Sequence, residues 1–117
     1  MPETFGERVR RRRTDLQIGL RDTAKAVGIS ATFLSRIETG AEKAMPREEV
    51  IRRLAEVLKD DFDTLMGLAG RISEDVKDYV KADPRMPEFL RQARERGIPM
   101  DRLMELLDKD DKKKGGR

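Results

Sequence analysis

Gly28 constrains this chain more than any other residue. Before it, Leu20, Ala24 and Val27 fall at helical spacing, and after it Phe33, Leu34 and Ile37 do the same. Ser30 stands where a helix N-cap belongs. A glycine tolerates the positive φ that turns a chain sharply between two helices. The small side chain of Ala24 lets those helices approach, and Ile29 and Leu34 fill the angle between them. Two short helices joined in this way have helix-turn-helix grammar. An ordinary corner of a helical bundle has the same spacing, and these residues alone leave both readings open.

Helical periodicity continues on either side. Phe5, Val9 and Leu16 mark one face of a first helix, and Thr4 with Glu7 has capping-box spacing. Gly40 ends the third helix. Pro46 is placed for the first turn of a fourth, which Glu48 and Glu49 suit electrostatically. Val50, Ile51, Leu54, Val57 and Leu58 form its stripe. Asp61 or Asp63 opens a fifth helix through Phe62, Leu65, Met66 and Leu68, which Gly67 and Gly70 weaken and end. Ser73 is placed to cap a sixth helix, Glu74–Ala82, before the break at Asp83-Pro84. Met86, Phe89, Leu90 and Ala93 give a seventh helix, closed by Gly97. Pro99 opens an eighth with Leu103, Met104, Leu106 and Leu107. The expectation is an all-α chain with a first domain over residues 1–70, a helical region over 71–108 and a disordered charged tail over 109–117.

Composition narrows what such a chain can do. With 42% charged residues and only 4% aromatics, helices are favoured over strands. There is no Cys and no His, which excludes zinc fingers, haem and iron–sulfur ligation, disulfide scaffolds and every Cys- or His-based catalytic scheme. No phosphate-binding glycine loop or paired acidic site stands out, and Asp108, Asp110 and Asp111 lack the spacing of a calcium loop. No catalytic residue, metal or cofactor is therefore expected, and an enzyme is not. No apolar run is long enough to span a membrane, and the start lacks a secretory signal's apolar core. A cytosolic protein is the default expectation.

Charge is unevenly spread. Residues 1–59 carry 13 basic and 9 acidic side chains, whereas 60–117 carry 13 and 14. The densest cluster is Arg8, Arg10, Arg11, Arg12 and Arg13. Such a run either supplies a positive field for a polyanion or is a solvated helix face.

The stretch Ile18–Gly40, with Ala24, Gly28, Ile29, Leu34, Ile37, Glu38 and Gly40 on motif positions, resembles the Cro/C1-type helix-turn-helix regulators. These are also called the XRE family and include the lambdoid phage repressors. The resemblance implies a five-helix, lambda-repressor-like DNA-binding domain followed by a small C-terminal helical dimerisation region. It also implies a recognition helix over Ala31–Glu38 lying in the major groove of double-stranded DNA. Its outward positions are Ala31, Thr32, Ser35 and Arg36, with Arg36 the best match to the O6/N7 acceptors of guanine. Leu20 and Arg21 at the start of the second helix, and Thr39 and Lys43 after the third, occupy positions that meet phosphate. Arg13 and Glu38 stand where some members have a semi-buried ion pair. Three departures are plain: Glu42 makes the following loop less basic, Leu20 replaces an anchoring Gln, and Arg12 stands where an apolar residue is usual.

One module of this kind contacts few base pairs, so a homodimer on a palindromic operator is expected, associated with the nucleoid when bound. The C-terminal stripes, including Ile72, Val76, Tyr79, Phe89, Leu90, Leu103, Met104 and Leu107, are too many for a thin layer to hide. They form the dimer interface or complete the monomer's core, and an effector, anti-repressor or protease docking there is a third use. The function implied is a transcription regulator, a repressor by preference. The alternative is an antitoxin or adaptor whose C-terminal helices bind another protein.

Overall fold

A computed structural model describes residues 2–115. Among the described residues eight helices follow one another: α1 (Phe5–Asp15), α2 (Leu20–Val27), α3 (Ala31–Thr39), α4 (Glu48–Val57), α5 (Phe62–Leu68), α6 (Glu74–Ala82), α7 (Met86–Glu95) and α8 (Met100–Gly115). No strand occurs among the described residues. The chain divides into two compact units, Met1–Glu74 and Asp75–Arg117, a few residues later than the boundary expected from sequence.

In the first unit the caps set the helix ends. Thr4 accepts from the Glu7 amide while Glu7 reaches back to the Thr4 amide, completing the capping box of α1. Ser30 caps α3 through the Phe33 amide. Of the two aspartates that could open α5, Asp61 does so, accepting from the backbone and hydroxyl of Thr64. Pro46 does not start α4. It lies buried ahead of the N-cap Arg47, and the helix begins at Glu48.

One core joins the five helices: Phe5 and Val9 from α1, Ala24 and Val27 from α2, Leu34 and Ile37 from α3, Ile51, Leu54 and Ala55 from α4, then Leu58, Leu65 and Met66. Gly6 is what lets α1 meet α3. A β-carbon there would collide with the Ile37 carbonyl and lie 2.9 Å from that of Glu38.

In the second unit, Asp83 organises the turn before α7, accepting from the backbone and guanidinium of Arg85. The chain turns again at Gly97, and α8 starts at Met100, immediately after Pro99. The helix α8 is drawn from Met100 to Gly115, across the start of the charged segment 109–117; residues 116 and 117 lie outside the described residues. Once nucleated by Leu103–Leu107, a helix propagates cheaply through Lys and Asp, neither of which breaks it.

Gly6→Ala should destabilise the first unit by about 1–3 kcal/mol, the cost of overpacking, because the obstacle is backbone and cannot rotate away. Thermal or denaturant unfolding checks this; an unchanged midpoint would contradict the close approach.

Candidate nucleic-acid interface

The turn between α2 and α3 is built as its residues dictate. Gly28 has φ 87°, and both its amide and that of Ile29 donate to the Ala24 carbonyl, closing α2. Buried Thr23 donates its hydroxyl to the Gly19 carbonyl at 2.9 Å, so it adds no unsatisfied group to the corner. Arg53 from α4 donates to the Val27 carbonyl at 3.3 Å and pairs with Glu49 at 2.7 Å, holding α4 against the same turn.

α3 buries Leu34, Ile37 and Glu38. Its opposite side exposes Thr32 and Arg36, one helical turn apart, with Ser35 half-exposed beside them. The Arg36 guanidinium makes no hydrogen bond or ion pair with any described residue. Ala31 is half-buried against the core and sits at the margin of this face.

Near the other candidate positions the pieces differ. Arg21 and Lys43 are exposed cations without an internal partner. Thr39 is exposed, its hydroxyl 3.4 Å from the Arg36 carbonyl. Leu20 packs at the edge of the core, so it offers an incoming phosphate only its backbone amide at the free end of α2. Asp22, unnoticed in the sequence, turns back over that end; Oδ2 lies 3.8 Å from where a Gly19 β-carbon would be. Its charge suits the helix dipole and opposes a phosphate at the same place.

The arginine cluster of α1 is largely consumed inside the protein. Arg13 donates to both carboxylate oxygens of Glu38, at 2.8 and 2.9 Å, and to the Ile18 carbonyl at 3.0 Å. Only 5% of the Glu38 side chain is exposed. Arg8 holds Asp60 in the same two-pronged way, at 2.7 and 2.8 Å. Arg12, unexplained by sequence, donates to the Leu58 and Lys59 carbonyls at 3.0 and 2.7 Å, where α4 ends. Lys59 there has φ 50°, strained for a residue with a β-carbon. Arg11 binds Glu3 and Asp15. Of the cluster, Arg10 alone is exposed without such a partner among the described residues. The signal that could have separated these roles is weak: Arg8 and Arg12 share a face one turn apart, beside the apolar face.

The hydrogen bond from Arg8 holds the Asp60 carboxyl below the usual carboxylate range, assisted by the Asp61 amide. No group of three or more acidic residues among the described residues could hold a metal ion. No described helix is long and apolar enough to cross a membrane.

Comparison with known proteins agrees with this geometry. The helix-turn-helix domain family matches residues 4–62, half of the chain. The HTH-type transcriptional repressor RghR of Bacillus subtilis (strain 168) is 39% identical over 72 residues, 62% of this chain. The chain spans about half of that relative's length, the match covering 53% of it. The P22 c2 repressor, in its complex with synthetic operator 9T, is 31% identical, with a TM-score of 0.50 over 55% of this chain and 94% of that one. A SinR–SinI complex shares the fold at a TM-score of 0.51, over 96% of this chain and 99% of the matched one, at 21% identity. The chain belongs to the helix-turn-helix family of DNA-binding transcriptional regulators, with the all-α fold of its Cro/C1-type members.

Two predictions follow from the α1 pairs. Glu38→Gln should cost about 3 kcal/mol by leaving Arg13 without its counter-charge, while replacing both residues by apolar ones should recover most of the loss. A double-mutant cycle by denaturant unfolding checks this; additive losses would contradict a coupled pair. For Asp60, the folded-state pKa lies below the unfolded value. Its stabilisation is complete above the unfolded pKa and is lost as pH falls through the folded one. Asp60→Asn should therefore lower stability at neutral pH and flatten its fall below about pH 4. Unfolding at a series of pH values measures this, and an unchanged slope would contradict the assignment.

Proposed function

We propose that this protein is a sequence-specific transcriptional repressor that binds a palindromic operator as a homodimer, with α3 in the major groove. The observation that carries the reading is the asymmetry of α3. One side is locked into the core by Leu34, Ile37 and the Arg13–Glu38 pair. The other presents Thr32, Ser35 and an unpaired Arg36 to solvent. A rigidly held helix with a free planar guanidinium suits recognition of guanine, and Thr32 suits a hydroxyl or methyl contact beside it. Ala31, at the margin, contributes at most a methyl contact.

Arg21, Thr39, Lys43 and the Leu20 amide are assigned to phosphates, which set register and orientation but carry no sequence information. Because α1 spends most of its arginines internally, few cations remain for the backbone, and Glu42 and Asp22 oppose them. Affinity per module is therefore modest, and pairing two modules supplies the rest. The dimerisation surface is assigned to Val76, Tyr79, Phe89, Leu90, Leu103, Met104 and Leu107. All but Leu103, which is half-buried, are exposed. Binding to the operator places the protein with the nucleoid.

Arg36→Ala should cost about 1–3 kcal/mol on the preferred site and relax discrimination at one base position. Lys43→Ala should weaken binding to all duplexes alike and reduce the salt slope by about one. Titrations of specific and scrambled duplexes at several salt concentrations separate the two. Equal, sequence-independent losses would overturn the assignment of Arg36 as the base reader.

A further inference from the structure

The loop that follows α3, residues 41–46, carries Lys43 and has little of its own to hold it in place. At its start the Ala41 and Glu42 amides both donate to the Arg36 carbonyl, at 2.9 and 3.2 Å. From Lys43 to Pro46 no backbone group bonds to another backbone group among the described residues. One hydrogen bond reaches that stretch, and it comes from beyond α5: Arg71 Nη2 donates to the Met45 carbonyl at 2.8 Å. Arg71 also lies beyond residues 4–62, the part of the chain that the helix-turn-helix family matches.

The backbone around Arg71 is itself held. Gly70 has φ 68°, and the Arg71 amide donates to the Met66 carbonyl at 3.0 Å, so the chain leaves α5 in a set direction. Three residues on, the Glu74 amide donates to the Glu48 carboxylate at 3.0 Å, and that carboxylate also accepts from Arg52 at 3.1 Å. The Arg52 guanidinium in turn lies 4.1 Å from the centre of the Phe62 ring. Arg71 is thus tied down on both sides against α4 and α5, and its guanidinium spends a donor on the loop. With Arg36 at one end and Arg71 at the other, the backbone that carries Lys43 is ordered before any ligand arrives. A cation on an ordered loop binds with less loss of freedom than the same cation on a loose one.

We propose that Arg71 is a positioning residue for the phosphate contact of Lys43: by holding the Met45 carbonyl it sets the loop so that Lys43 meets the DNA backbone. This rests on the reading of Lys43 as a phosphate contact and adds to it a residue outside the helix-turn-helix that acts without touching DNA.

A double-mutant cycle on DNA affinity tests this, in the full chain and with a duplex of about 20 base pairs of arbitrary sequence, because a phosphate contact acts on every sequence. Arg71→Met removes the donor and keeps an unbranched stem, and Lys43→Ala removes the cation that the loop presents. Both residues are exposed, and matched unfolding midpoints show that the variants are folded. In the wild-type background Arg71→Met should weaken binding about three- to tenfold. In the Lys43→Ala background the same substitution should change it by less than about twofold. Equal losses in both backgrounds would overturn the proposal, since Arg71 would then act on DNA through its own charge. A loss from Lys43→Ala with none from Arg71→Met would also overturn it, and leave Lys43 as a phosphate contact. No loss from Lys43→Ala would overturn that assignment and the proposal with it.

Discussion

The Arg13–Glu38 pair is the joint on which the placement of α3 against α1 depends. It lies where α3 ends, and its two parallel hydrogen bonds define a direction as well as a distance. Gly6 brings α1 against the last carbonyls of α3, so helix position is fixed by backbone contact and helix rotation by the ion pair. With Leu34 and Ile37 buried between them, the outward side of α3 has one orientation available. Rigidity of that kind is what a base-reading helix requires, because hydrogen bonds to base edges tolerate little misplacement.

The same helix serves a second joint. Arg8 and Arg12 grip Asp60 and the carbonyls of Leu58 and Lys59, closing α4 at a residue held in a left-handed conformation. α1 therefore braces the end of α3 and the α4–α5 corner together. A cationic helix in a DNA-binding protein invites the assumption that its charge faces DNA. Here most of that charge faces inward, and the exposed positive groups near α3 are the scattered Arg21, Arg36 and Lys43.

The turn at Gly28, the caps at Thr4 and Ser30, and the stripes of α1 to α5 were legible in the sequence because each depends on residues a few positions apart. The Arg13–Glu38 pair, 25 residues apart, was legible only through the family resemblance. Arg8 and Arg12 were not, since their partners lie 46 to 52 residues away and one is a backbone carbonyl pair with no side-chain signature. Pro46 stands two positions before the first residue of α4, and the sequence does not fix this because proline is acceptable both within a first turn and just before it. The outward positions of α3 stay assignments that the motif supplies and that exposure of Thr32 and Arg36 supports.

Selection of bound duplexes from a random DNA pool, at about 150 mM salt so that non-specific phosphate binding is suppressed, tests the central claim most directly. The account predicts enrichment of a palindrome whose half-sites are centred about 34 Å apart, one helical turn. Salt-sensitive retention with no enriched sequence would contradict it, leaving a helix-turn-helix fold that does not read bases.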